Sequence, residues 1–295
     1  MSTPPIQWYP GHIAKAERAL LDQLKRVDVV LEVRDARIPL ATHHPLLQTW
    51  LGEKARVLVL NRMDMIPTFL QKQWEQWFCD RGEEPFFTDA KQGKGIRPIA
   101  QAAQAAGIAM NERRQQRGMR PRSVRAVVVG FPNVGKSALI NRLVNKRVVE
   151  SARRPGVTRQ LRWVRVGADL DLLDAPGVLP AKLEDQTAAI KLALCDDIGE
   201  AAYDNQRIAA ALVDLLTQLQ PQTKAVPADL LTKRYGVALD QATGEDYVHQ
   251  LAAERHKGDR ERTARQLLND FRKGLLGPLP LELPPVMEAP LAANV

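Results

Sequence analysis

Residues Gly130 to Ser137 read Gly-Phe-Pro-Asn-Val-Gly-Lys-Ser and fit the pattern GxxxxGK[ST]. Their surroundings give the match structural meaning. Val124 to Val129 before them is rich in β-branched residues and predicts a buried strand. Ser137 to Val144 after them has helical character, with apolar Ala138, Leu139, Ile140 and Leu143. A strand, a glycine loop and a helix in that order form a P-loop, in which backbone N–H groups wrap phosphate oxygens at a helix N-terminus. Asn133, Val134, Gly135, Lys136, Ser137 and Ala138 are therefore candidate nucleotide-binding residues. Lys136 is placed to reach the β- and γ-phosphates and to serve catalysis, and Ser137 to ligate Mg²⁺. The fold class that follows is α/β, a mostly parallel sheet flanked by helices, with ligands at the C-terminal ends of its strands.

Four weaker motifs accompany it, three of them at the ends of other predicted strands and one in a loop. The strand Arg56 to Leu60 runs into Asn61-Arg62-Met63-Asp64, close to NKxD. A carboxylate at Asp64 can accept from guanine N1–H and the exocyclic amine together, a pair of donors that adenine lacks. Asn61 would brace the loop and contact the base edge. Arg62 stands where lysine is usual, its stem able to cover the base face. The strand Pro85 to Phe87 leads to Asp89-Ala90-Lys91, similar to SAK, with Asp89 in place of serine and the Ala90 N–H as donor to guanine O6. Thr158 lies about twenty residues beyond the P-loop, where a γ-phosphate-sensing, Mg²⁺-binding threonine belongs. Two further strands, Leu161 to Val166 and Asp169 to Leu173, lead to Asp174-Ala175-Pro176-Gly177, a DxxG. There Asp174 would hold Mg²⁺ through water and the Gly177 N–H would meet the γ-phosphate. The base-reading pair precedes the P-loop, so the order is permuted relative to ordinary small GTPases. A permuted chain can keep one fold because termini relocate to surface loops.

The rest of the chain adds a charge pattern and a change of architecture. The formal net charge is +8. Residues 111–166 hold 15 Lys or Arg against two acids, so the whole basic excess surrounds the P-loop. A triphosphate needs far fewer cations, and the surplus points to a polyanion such as RNA. No run of apolar residues is long enough to span a membrane, and Met1 to Pro10 lacks a signal pattern. Two cysteines, Cys79 and Cys195, predict reduced thiols and a cytoplasmic protein. A helix is expected from about Ile13 to Leu24 after a turn at Pro10-Gly11. Phe69, Trp74, Trp77 and Phe78 are expected to line the inner face of a helix over Thr68 to Arg81. Past residue 203 the pattern becomes helical. Ile208, Ala211, Leu212, Leu215, Leu216 and Leu219 follow one helix face, and Arg260 to Lys273 is amphipathic with Arg262, Arg265 and Lys273 on its polar side. The expected units are a nucleotide-binding domain over 1–203, a small helical domain over 204–276, and a disordered proline-rich tail over 277–295.

At this point the chain resembles the circularly permuted ribosome-biogenesis GTPases of the YlqF/RbgA type. The carriers are Trp8 to Ala16, Asp35-Ala36-Arg37-Ile38-Pro39, Asn61 to Asp64, Gly130 to Ser137, Pro155 to Thr158, and Asp174 to Leu179 with Glu184-Asp185. The resemblance is close over residues 6 to 200 and looser beyond. It implies a GTPase that assists late assembly of the large ribosomal subunit, uses GTP, Mg²⁺ and K⁺, and contacts ribosomal RNA through its helical domain, ribosomal proteins being further possible contacts. Val178 and Leu179 follow the DxxG, where Ras-like proteins keep a water-orienting glutamine. The resemblance supplies two substitutes: Asn133 as a K⁺ ligand, and His12 as a residue that helps activate water on the ribosome. A monomer is expected. Two other classes stay open on the residues alone: an RNA-independent regulatory G protein acting on a protein partner, and a P-loop ATPase or kinase, against which Asp64 argues.

Overall fold

A computed structural model describes residues 6, 10–146, 162–167, 169–175, 184–238 and 243–286. Its centre is β4 (Val124–Val129), the strand expected before the P-loop. On one side lie β1 (Val29–Asp35), β2 (Ala55–Asn61) and β3 (Pro85–Thr88); on the other lie β6 (Leu170–Asp174) and the edge strand β5 (Arg162–Val166). The order across the sheet is β3-β2-β1-β4-β6-β5, parallel throughout except for β5. All seven residues of β1 are buried, as a central parallel strand covered on both faces requires.

Alternate residues feed two faces. Val29, Leu31, Val57, Val59, Ala126 and Val128 join the core beneath α4 (Ile96–Gln116) and α5 (Lys136–Leu143). Val30, Val127, Val129 and Leu173 pack with α1 (Pro10–Leu24) and α2 (Leu47–Leu51). Leu58 and Leu60 pack with α3 (Thr68–Cys79), whose Trp74 and Phe78 are buried while Phe69 and Trp77 lie at its margin. Glu32 interrupts the apolar run of β1 and is satisfied where it stands. Arg34 Nε donates to it at 2.7 Å, Arg56 at 2.8 Å, and His43 Nδ1 lies 2.9 Å away. Burial pushes the Glu32 carboxyl up, but His43 and Arg34 outweigh burial and hold it at about 2.

α1 starts at Pro10, three residues before the expected start. Proline is suited to the first position of a helix, where its missing N–H has no intrahelical partner to lose. After β6 comes α6 (Gln186–Leu194), which the sequence reading did not anticipate. Asp185 caps it, accepting from the N–H groups of Thr187 at 2.8 Å and Ala188 at 3.1 Å. α7 (Asn205–Leu219), α8 (Leu230–Tyr235), α9 (Gly244–His256) and α10 (Arg260–Arg272) complete the described helices. Ile208, Leu212, Leu216, Leu267 and Phe271 belong to the same apolar cluster as the sheet, so the helical part shares one core with the nucleotide-binding part.

The tail corrects an expectation. Residues 277–286 do not behave as a disordered segment. Leu279 and Leu281 are buried, and the N–H groups of Leu281 and Glu282 both donate to the Arg37 carbonyl, at 3.0 and 3.1 Å. The Glu282 carboxylate accepts from the Leu40 and Ala41 N–H groups and from Lys191 Nζ at 3.1 Å. Proline content and missing basic residues suggested disorder, but the partners that order this stretch lie some 240 positions away in the chain. Residues 287–295 lie outside the described residues.

Candidate functional site

Strand register brings the candidate residues to one edge of the sheet. Asp35 is opposite Asn61, Asn61 is opposite Thr88, and Val128 is opposite Asp174. All of these are strand ends, and the P-loop leaves β4 between them. β1 and β4 are neighbours from which the chain winds outward in opposite directions, and ligand crevices form at such a switch point.

The P-loop holds the expected conformation through residues with positive φ: Gly130 (151°), Asn133 (57°) and Gly135 (102°). Two glycines are sterically obligatory. A Cβ on Gly130 would lie 2.2 Å from the Val33 carbonyl, and one on Gly135 would lie 2.1 Å from Asn61 Nδ2. Lys136 is buried, and its ammonium donates to the Gly130 and Phe131 carbonyls at 3.1 and 2.7 Å. Burial pushes its pKa down to about 8, against the pull of Asp174 and Asp197. Ser137 Oγ lies 3.4 Å from Asp174 Oδ2. A serine hydroxyl beside a carboxylate is a hard oxygen pair that suits Mg²⁺. Ala138 follows within α5.

The base-reading motifs are stitched to the P-loop. Asn61 Nδ2 donates to the Val134 carbonyl at 2.7 Å, and Asn61 Oδ1 accepts from the Ala90 N–H at 3.0 Å. One buried amide thus bridges three loops. The Ala90 N–H, expected to face guanine O6, is here bonded to Asn61. Asp64 sits in a 3₁₀ turn just after Arg62, whose left-handed φ of 64° turns the chain. It is open to solvent on one side; partial burial and the nearby charge of Asp89 raise its pKa. Asp89 is buried and organises its own loop, Oδ1 accepting from the Lys91 and Gln92 N–H groups at 2.9 Å each. Arg142 of α5 donates to the Ala90 carbonyl at 3.1 Å and also binds the Lys91 carbonyl.

Below the P-loop lies a buried ionic cluster whose function the sequence reading missed. Arg62 donates to the Asn133 carbonyl at 2.6 Å and to the Cys195 carbonyl at 3.3 Å, and pairs with Asp35 Oδ2 at 3.0 Å. Arg37, fully buried, binds both Asp35 oxygens, at 3.0 and 2.7 Å. Burial alone would raise Asp35, but Arg37 and Arg62 hold its carboxyl below the ordinary range. Asp197 is pushed well above that range by burial and by the Asp35 charge; Arg62 Nη2 stands 3.9 Å away. Asn133 Nδ2 donates to the Asp196 carbonyl at 2.6 Å. Asp35, Cys195 and Asp197 are close enough to share a metal ion, but Arg37 and Arg62 already supply the positive charge there. The signals in the sequence were Asp35-Ala36-Arg37 and the doublet Asp196-Asp197.

Thr158 and Gly177 lie outside the described residues. His12 falls within the span of α1, but its side chain also lies outside them. Cys79 and Cys195 are both free thiols. No helix among the described residues is long and apolar enough to cross a membrane.

Known proteins share this fold. A family model described as a 50S ribosome-binding GTPase matches residues 125–235, beginning inside β4. Ribosome biogenesis GTPase A of Bacillus cereus is 35% identical over 288 residues, spanning 95% of this chain and 94% of that protein. Mitochondrial ribosome-associated GTPase 1 of Mus musculus is 32% identical over 300 residues, covering 94% and 90% of the two chains. The crystal structure of GNP-bound YlqF from T. maritima has the same fold, with a TM-score of 0.60 at 23% identity over 92% of this chain and 98% of that one. With such identity along nearly the full length of both sequences, a P-loop at the sheet's switch point and base readers tied to it, this chain belongs to the ribosome biogenesis GTPase A (YlqF/RbgA) family and is a GTPase.

Proposed function

We propose that this chain is a GTP-driven assembly switch that binds the precursor of the large ribosomal subunit through its RNA. The observation that carries the reading is the stitching of base reader to phosphate loop by Asn61 and Arg62. Occupancy at the strand ends is thereby felt in the helical part, because Arg62 and Asn133 also hold the carbonyls of Cys195 and Asp196, which lead from α6 toward α7. Relatives named for ribosomes favour this over an RNA-independent regulatory G protein. The basic surplus of residues 111–166 supports RNA as the polyanion.

In this reading Asp64 accepts from the guanine edge, with Asn61, Arg62, Asp89 and Ala90 shaping the base pocket. Lys136 leaves the Gly130 and Phe131 carbonyls for the β- and γ-phosphates. Ser137, Asp174 and Thr158 would hold Mg²⁺, which would supply charge neutralisation of the leaving phosphates. Gly177 reports the γ-phosphate. Asn133 is the K⁺ ligand, and His12 helps activate water. The Ile6 N–H donates to Gln186 Oε1 at 2.9 Å, tying the N-terminal segment beside the start of α6, downstream of the DxxG. That tether supports a role for this segment in hydrolysis. The protein works as a monomer.

Gly135→Ala tests the phosphate loop. Its Cβ meets Asn61 and its φ disfavours any side chain, so strain of about 1–3 kcal/mol lowers GTP affinity by roughly 5- to 150-fold. Calorimetric titration of GTP into the variant measures it, and unchanged affinity overturns the stitched-loop account. The switch itself is tested by GTP hydrolysis with and without large ribosomal subunits, in K⁺ and in Na⁺. Strong stimulation by subunits in K⁺ supports the switch and the Asn133 role together. Hydrolysis indifferent to subunits removes the ribosomal assignment and leaves a GTPase.

A further inference from the structure

We propose that Trp163 and the arginines beside it form a landing site for one unpaired nucleotide of RNA, the base stacking on the indole and the flanking phosphates pairing with Arg125 and Arg165. The proposal deepens, and rests on, the reading of the basic belt as an RNA surface. It starts from the sheet edge. Among the described strands β5 pairs only with β6, and Trp163 is opposite Leu173 while Arg165 is opposite Asp171. On the far side of β6, Asp171 is opposite Arg125. By the two-residue period of a strand, Trp163, Arg165 and Arg125 stand on one face.

This is the face that α1 and α2 cover nearer the centre, over Val127, Val129 and Leu173. At the edge, no helix among the described residues covers it. Trp163 is 41% exposed, Arg125 is exposed, and the Arg165 side chain is 67% exposed. The Arg125 guanidinium lies 5.9 Å from the indole centroid. Arg165 Nε lies 3.9 Å from Asp171 Oδ1, a long ion pair of little energy, and most of the Arg165 side chain faces solvent. Asp171 is also held by the Ser123 hydroxyl, and Asp28 is held by both Arg122 nitrogens, at 2.8 and 2.9 Å. Asp171 and Asp28 are thus engaged within the fold.

An exposed indole flanked by guanidinium groups has the parts of a single-strand site: a stacking platform and phosphate partners. A duplex keeps its bases within its own stack, so the platform selects an unpaired nucleotide. The site is on the flank of the sheet and separate from the strand ends that carry the P-loop, so RNA and GTP can be held together.

The test is binding of a labelled single-stranded oligoribonucleotide and of a hairpin duplex to the full chain, its Trp163→Ala and Trp163→Phe variants, and an Arg125→Ala/Arg165→Ala variant. Stacking is worth about 1–3 kcal/mol per base, so W163A is expected to weaken single-strand binding roughly 5- to 150-fold. W163F restores most of it, while duplex binding and GTP affinity stay as in the parent. The double arginine variant is expected to reduce the slope of log K against log salt by about 1.4, at 0.7 per phosphate. Single-strand affinity unchanged in W163A overturns the site. If the parent chain binds no RNA at all, the RNA reading of the belt falls as well; RNA bound equally by parent and W163A removes this site alone.

Discussion

Asp64→Asn is expected to exchange the nucleotide base that the protein prefers. In guanine both the N1–H and the exocyclic amine are donors, and a carboxylate accepts from both. Asparagine keeps one acceptor but turns an amide donor toward the amine, so one charge-assisted bond weakens and another becomes a donor–donor clash. Hydrogen bonds to charged groups contribute about 1.5–3 kcal/mol each, which places the loss of GTP affinity at roughly 10²- to 10⁴-fold. Xanthine carries a carbonyl where guanine carries its amine, so the same amide gains an acceptor, and XTP affinity is expected to rise as GTP affinity falls. Competition between the two nucleotides measures both arms. Retention of GTP preference in D64N would remove Asp64 from base reading, even with hydrolysis intact.

Arg37→Met is expected to destabilise the chain more than any change at the nucleotide surface. The substitution keeps much of the side-chain volume against the Phe271 ring, whose centroid lies 5.2 Å from the guanidinium carbon. What it removes is the bidentate partner of a fully buried carboxylate. Breaking one side of a buried pair costs about 3–5 kcal/mol, and because Arg62 still stands 3.0 Å from Asp35 Oδ2 the loss is expected at the lower end of that range. Burial pushes Asp35 up and Arg37 and Arg62 pull it down; with Arg37 gone, the balance shifts toward the protonated acid. Some of the lost stability should therefore return as pH falls toward the new Asp35 pKa, a direction opposite to that of the parent, whose paired Asp35 contributes above its unfolded pKa and loses that contribution in acid. Thermal melts across pH check both magnitude and sign. A melting temperature within a degree or two of the parent's at neutral pH overturns the account. Asp35→Asn in the Arg37→Met background is expected to recover part of the loss.

Local pattern carried most of the sheet. β4 is a run of valines before a glycine loop, and its bounds were legible to the residue. The base-reading loops were legible because each ends a short apolar strand. What the sequence did not disclose depends on partners distant along the chain. Arg62 looked like a base cover, yet its guanidinium ends on Asn133 of the P-loop and Asp35 of β1. The 277–286 stretch looked unstructured because its composition offers no pattern, whereas its order comes from carbonyls and N–H groups of residues 37–41. α6 is short and apolar on most sides, so periodicity was silent; the Asp185 cap was its one local mark. Pro10 follows an aromatic stretch and precedes a glycine, a pattern typical of turns, yet it is the first residue of a helix.

The permuted strand order also sets a timetable for synthesis. The base-reading half, β1 to β3, leaves the ribosome first, with one side of β1 unpaired. Its partner β4 comes later, as the pairing of Val29 with Ala126 records. Glu282 closes the loop at residues 40 and 41 last of all. Contacts so distant along the chain form late and slowly, so a nascent chain halted before residue 279 carries every nucleotide-binding residue yet lacks the strap that holds the loop beside Asp35 and Arg37. The GTPase motifs are therefore all synthesised before the contact that Glu282 makes with residues 40 and 41 can form.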